Sequence, residues 1–135
     1  YTPTAADIAA GSVTLTLTAT GNSTCTDATS TMVLTIEPAA IADAGLPASI
    51  CDGSTHTIIG ASASNNAGVI WSSPTGGLFT NGTTLAATYT PTAADIAAGS
   101  VTLTLTVTGN APCTVVTSTL VLTINALPVP LIYHN

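Results

Sequence analysis

No lysine and no arginine occurs anywhere in the 135 residues, against six carboxylates (Asp7, Asp27, Glu37, Asp43, Asp52 and Asp95) that leave a formal net charge of -6. A phosphate backbone is bound by cations that displace its condensed counterions, so nucleic acid is excluded as a partner. Anionic membrane surfaces are excluded for the same reason. No Lys or Arg ion pair holds the fold, and stability has to come from apolar burial, backbone ladders and covalent links. Long apolar runs are missing too. The aliphatic residues are interleaved with threonine and fall far short of the roughly 18–20 residues that cross a bilayer as a helix, so no membrane insertion is expected. Catalytic constellations are equally scarce. His56, in an expected strand, and His134, in the tail, have no second histidine, carboxylate pair or cysteine at ligand spacing beside them. No serine sits in a nucleophile elbow, and SPTGG and NGTT are turn chemistry without the basic residue of a phosphate loop. The chain is expected to be no enzyme and to use no cofactor or metal.

What the sequence does have is a long internal repeat. YTPTAADIAAGSVTLTLT opens the chain at Tyr1 and returns unchanged at Tyr89. Over residues 1–36 and 89–124, 30 of 36 positions are identical, and the differences are Ala19/Val107, Ser23/Ala111, Thr24/Pro112, Asp27/Val115, Ala28/Val116 and Met32/Leu120. The offset of 88 residues is too long for a solenoid unit and suits one β-sandwich domain. The expected organisation is the C-terminal strands of one repeat in 1–36, a complete repeat in 37–124, and a linker with the start of a third in 125–135. Because Tyr1-Thr2-Pro3 has neither a basic nor an apolar character suited to a leader, the expectation is a window on a longer tandem array.

Strand signals dominate. In SVTLTLTVT, Val101, Leu103, Leu105 and Val107 alternate with Thr102, Thr104, Thr106 and Thr108, the period of a strand with one buried face. Leu120, Leu122 and Ile124 continue the pattern on the next strand, and GNAPC between them supplies a hairpin turn. THTIIGASA, GVIWSS and TTLAATYT read as further short strands, with a first strand in 39–44. The expected fold class is therefore all-β, an immunoglobulin-like sandwich in tandem array. Its core is expected to include Trp71, Leu103, Leu105, Leu120, Leu122 and Ile124, with Trp71 filling the place of a third-strand core tryptophan. Within TPTAADIAAG, Thr92 stands three residues before Asp95, the spacing of a reciprocal cap on a helical turn, and Gly99 is placed to close that turn. Such a turn carries the chain from one sheet to the other. A calcium site at Asp7 or Asp95 lacks the several further oxygen ligands it needs.

Three cysteines remain. Cys25 and Cys113 are repeat equivalents, which leaves Cys51 unique to the middle repeat. The economical pairing is Cys51 with Cys113, with Cys25 unpaired in this stretch; the competing reading is three reduced thiols. A disulfide would imply an oxidising, extracellular setting.

ADAGLPASICDGSTHTIIGASA, VIWSSPTGGLF and ATYTPTAADIAAGSVTLTLTVTGNAPCTVVTSTLVLTI together resemble the PKD-like, immunoglobulin-like repeats of giant cell-surface adhesins in gliding Bacteroidetes, of the SprB type. The resemblance covers nearly the whole chain. It implies a repeat module of an extracellular filament, exported by type IX secretion and involved in adhesion and gliding motility, with neighbouring repeats as partners. It carries no catalytic residues, and the family's paired cysteines match Cys51 and Cys113. The tail ALPVPLIYHN departs from EPAAIADAGL, as a divergent next repeat would. Two other classes stay open on the residues: a filament subunit assembled by β-strand exchange, and a glycan- or ice-binding sandwich using the Thr-rich face of Thr102, Thr104, Thr106, Thr108, Thr117, Thr119 and Thr123.

Overall fold

A computed structural model describes residues 1–130, in which strands far outnumber helices. His134 lies outside the described residues. The chain divides into two compact units, residues 1–38 and 39–135.

The first unit holds helix α1 (Ala5–Ala10) and strands β1 (Ser12–Ala19) and β2 (Ala28–Thr35). The two strands pair antiparallel from Ser12↔Thr35 to Ala19↔Ala28 as a two-stranded sheet. Threonines alternate with aliphatic residues along β1, so Val13, Leu15 and Leu17 share one face, as a strand's period of two requires.

The second unit contains β3 (Ile41–Asp43), β4 (Ala48–Cys51), β5 (His56–Thr57), β6 (Ser62–Ser64), β7 (Asn66–Ser72), β8 (Leu78–Thr80) and β9 (Thr88–Thr90). It continues with α2 (Ala93–Ala98), β10 (Ser100–Gly109) and β11 (Val116–Asn125). The main sheet has the order β4-β11-β10-β7, accompanied by a β3-β6 pair and a β5-β9-β8 sheet. These sheets stay open, an arrangement consistent with an all-β sandwich. β10 and β11 form a hairpin in the same register as β1 and β2, from Ser100↔Thr123 to Val107↔Val116.

The apolar face of this hairpin is the centre of the core. Trp71, Leu103, Leu105, Leu120, Leu122 and Ile124 are all buried, together with Ile58, Ala87, Tyr89, Val101 and Val107. Phe79 bridges the aromatics, with ring centroids 6.4 Å from Trp71 and 4.7 Å from Tyr89. Trp71 satisfies its indole by donating Nε1–H to the Thr84 carbonyl at 3.1 Å, as a buried tryptophan must.

Two strands escape the sequence pattern. β4 follows Pro47, is four residues long and pairs parallel to β11, from Ala48↔Leu122 to Cys51↔Asn125. β8 is three residues long. The expected strand over 83–90 shrinks to β9, because residues 81–86 make turns instead, with Asn81 at φ 56° and its carbonyl accepting from Thr84 N–H at 3.0 Å.

The expected Cys51–Cys113 disulfide is corrected by this topology. Cys51 lies beside Asn125 at the last residue of β11, whereas Cys113 lies in the turn before the first residue of β11. The length of β11 separates them, roughly 30 Å at about 3.3 Å per residue. A disulfide needs Cα atoms within about 7 Å. Two cysteines of one repeat thus stand at opposite ends of its sheet, and Cys51 is an exposed thiol.

Candidate functional site

The repeated corner joins several polar groups of one short segment into a hydrogen-bonded assembly. In the second unit, Thr92 is the N-cap of α2: its Oγ1 accepts from Asp95 N–H at 3.2 Å, while Asp95 Oδ2 accepts from Thr92 N–H at 2.8 Å and from Thr92 Oγ1 at 2.9 Å. Two otherwise orphaned helix donors are satisfied by one reciprocal contact. Gly99 ends the turn at φ 74°, a left-handed conformation that costs glycine nothing, and its N–H donates to Ile96 O at 3.2 Å. α2 thereby carries the chain from β9, in the three-stranded sheet, to β10 in the four-stranded one.

Sequence reasoning named Thr92, Asp95 and Gly99 but missed the fourth member. Tyr89 donates its hydroxyl to Asp95 Oδ2 at 2.7 Å, and both residues are fully buried. The signal was available in the repeat, where a tyrosine stands six residues before the aspartate both times. Gly77 lies flat against this tyrosine: a Cβ there would come within 2.1 Å of the Tyr89 hydroxyl oxygen. Burial opposes ionisation of Asp95, but hydrogen bonds from Thr75, Thr92 and Tyr89 outweigh it and hold the carboxyl below the usual aspartate range. Burial likewise pushes the Tyr89 phenol up. The second carboxylate oxygen, Oδ1, is buried without a hydrogen-bond partner.

The first unit repeats the corner in the open. Tyr1 donates to Asp7, Thr4 caps α1 with Thr4 N–H and Oγ1 donating to Asp7 Oδ2 at 2.8 and 2.7 Å, and Gly11 closes the turn at φ 72°. Asp7 is held below its usual range by the Tyr1 hydroxyl first and Thr4 second. Here the residues are solvated, and Tyr1 is 68% exposed where Tyr89 is 0%. The corner therefore forms from local contacts alone; burial is added by the strands around it.

The remaining candidates do not converge. His56 pairs with Tyr89 across β5 and β9, half-buried, with its pKa lowered by desolvation. Cys25 is exposed in the β1–β2 turn, where Gly21 N–H donates to Asp27 Oδ1 at 2.9 Å. Among the described residues, no group of three or more His, Cys, Asp or Glu side chains is placed to hold a metal ion, and no helix is long and apolar enough to cross a membrane. Thr104 faces Thr119 and Thr106 faces Thr117 on β10 and β11, a cross-strand ladder of the kind that stabilises sheets.

No protein-family model and no curated protein matches the chain.

Proposed function

We propose that the chain is a structural repeat module, a stiff extracellular spacer built from immunoglobulin-like, PKD-like sandwiches in a large bacterial surface adhesin. The observation that carries this reading is the path of the backbone through the second unit. Ala44 donates its N–H to Ser118 Oγ at 3.0 Å near the start of β11, and Cys51 lies beside Asn125 at its end. The segment 44–51 therefore runs alongside β11 in the same direction, and the chain enters the unit at the turn end of the hairpin and leaves it at the other. A unit threaded in this way adds length: one strand of ten residues advances roughly 30 Å. Pull applied to the two ends also loads β4 against β11 in shear, so that their hydrogen bonds share the force instead of opening one by one.

Stiffness has a local source. Pro38 follows Glu37 directly after the last strand of the first unit, and Pro128 and Pro130 follow β11, in stretches without Gly/Ser linkers. Proline fixes its own φ and restricts the residue before it. The extracellular, adhesive and gliding parts of the proposal rest on the family resemblance and on the absence of Lys and Arg, which leaves no trypsin sites; no disulfide supports them. Electron microscopy of a polypeptide with several such repeats is the test. A straight rod advancing about 30–40 Å per repeat is expected, and freely jointed beads would refute the spacer.

A further inference from the structure

Residues 39–88 build the frame that holds the β10–β11 hairpin: β4 and β7 flank it, and Ala44, Ile58, Trp71 and Ala87 join its apolar face in the core. The β1–β2 hairpin carries nearly everything that this frame grips. Its register is the same, Leu15, Leu17 and Leu34 repeat Leu103, Leu105 and Leu122, and Ser30 stands where Ser118 Oγ accepts from Ala44 N–H. Yet its own apolar face is open, with Leu17 73% and Met32 59% exposed. The two copies differ at six positions, and in the second hairpin Ala111, Pro112 and Val115 lie exposed in the turn. The other three face inward. Val107 is fully buried, paired with Val116 on one side and Val69 on the other; Val116 packs against the core, and Leu120 is 3% exposed. The first hairpin has Ala19, Ala28 and Met32 at these places.

We propose that the β1–β2 hairpin fits the 39–88 frame of a second copy of this chain, in place of that copy's β10–β11 hairpin, and that Val107 and Val116 are the residues that keep it out. Each chain has two hairpins and one such frame, so an exchange leaves the number of covered hairpins unchanged. Beyond the proximity that the Thr88–Tyr89 bond gives β10–β11, the inward differences decide between the two occupants. Methionine replaces leucine at little cost. Alanine is about two methyl groups smaller than valine, and the space left at two packed positions favours the cognate hairpin by about a hundredfold. Threading makes the frame a second copy's. In the frame of its own chain, Ile36 would take the place of Ile124, and the backbone would have to return along β11, roughly 20 Å, to the contact of Ala44 with Ser118, with residues 40–44 already held in the frame. The frame of a second molecule demands no such return. The inference is independent of where the protein works or what it adheres to.

Met32 is the single methionine of the chain, so the triple variant Ala19→Val, Ala28→Val, Leu120→Met gives the two hairpins the same inward side chains and one thioether each. The full chain is unfolded and refolded over a range of concentrations, its mass is followed by sedimentation, and peroxide oxidation of each thioether is followed by peptide mass spectrometry. The triple variant should form oligomers that increase with concentration. In them Met32 should oxidise about tenfold or more slowly than in the monomer, and the thioether at position 120 correspondingly faster, since a buried thioether reacts only on local opening. Leu120→Met alone, which leaves the two valines as the discriminating pair, should exchange about a hundredfold less; exchange as extensive as in the triple variant would remove the role given to Val107 and Val116. A triple variant that stays monomeric, with Met32 oxidising at the parental rate, would overturn the proposal. So would oligomers in which both thioethers are protected, because open faces would then be packing on one another, and so would paired changes that ignore concentration, because the same chain would then supply the frame.

Discussion

Leu17 and Leu105 are the same letter at the same register position of two nearly identical hairpins, opposite Ser30 and Ser118. Only the second is enclosed. Leu105→Ala should cost about 2–5 kcal/mol in denaturant unfolding of the second unit, as truncation of a buried leucine does. Leu17→Ala should change stability by no more than about 0.5 kcal/mol in this chain. Equal effects would contradict the difference in burial. Asp95 makes the second residue-scale prediction. Its folded-state pKa is lowered, so its contribution is fully present above its unfolded value of about 3.9 and is lost as pH falls through the lower folded value. Asp95→Asn should therefore destabilise at neutral pH by roughly 1.5–3 kcal/mol, the range for hydrogen bonds to a charged group. It should also flatten the decline in stability below pH of about 4. A variant whose acid profile matches the parent would show that Asp95 does not titrate with folding.

At the scale of elements, the long alternating hairpins and the capped helical turns were legible in the sequence. The Thr–Leu alternation of β10 dictates one inward face, and Thr92, Asp95 and Gly99 make their corner from contacts within a few residues. What local pattern cannot carry is pairing between distant segments. β4 is only four residues long, too short for its alternation to mark a partner, and its parallel place beside β11 puts Cys51 next to Asn125 and away from Cys113. A pairing inferred from spacing along the repeat was blind to that placement. Tyr89 was overlooked for a related reason: its role lies in a hydroxyl contact six residues away, longer than the usual capping spacing.

For the whole molecule, the proposed spacer depends on how the second unit bears load. Asp52 N–H donates to Asn125 O at 2.8 Å at the end of the β4–β11 ladder, and residues 51–54 form a turn closed by Ser54 N–H to Cys51 O at 3.1 Å, with Gly53 at φ 79°. Proline suits the position Asp52 occupies in such a turn while deleting the donated amide. Holding the full chain by its two termini and pulling it is the most direct measurement. The second unit should rupture in one event that releases roughly 250–300 Å, the extended length of residues 39–125 less their folded span. Reductant should not alter that length, because no bond joins Cys51 to Cys113, and Asp52→Pro should lower the rupture force. Gradual lengthening without a rupture event would contradict the load-bearing account, and a short release that reductant lengthens would contradict the strand order on which it rests.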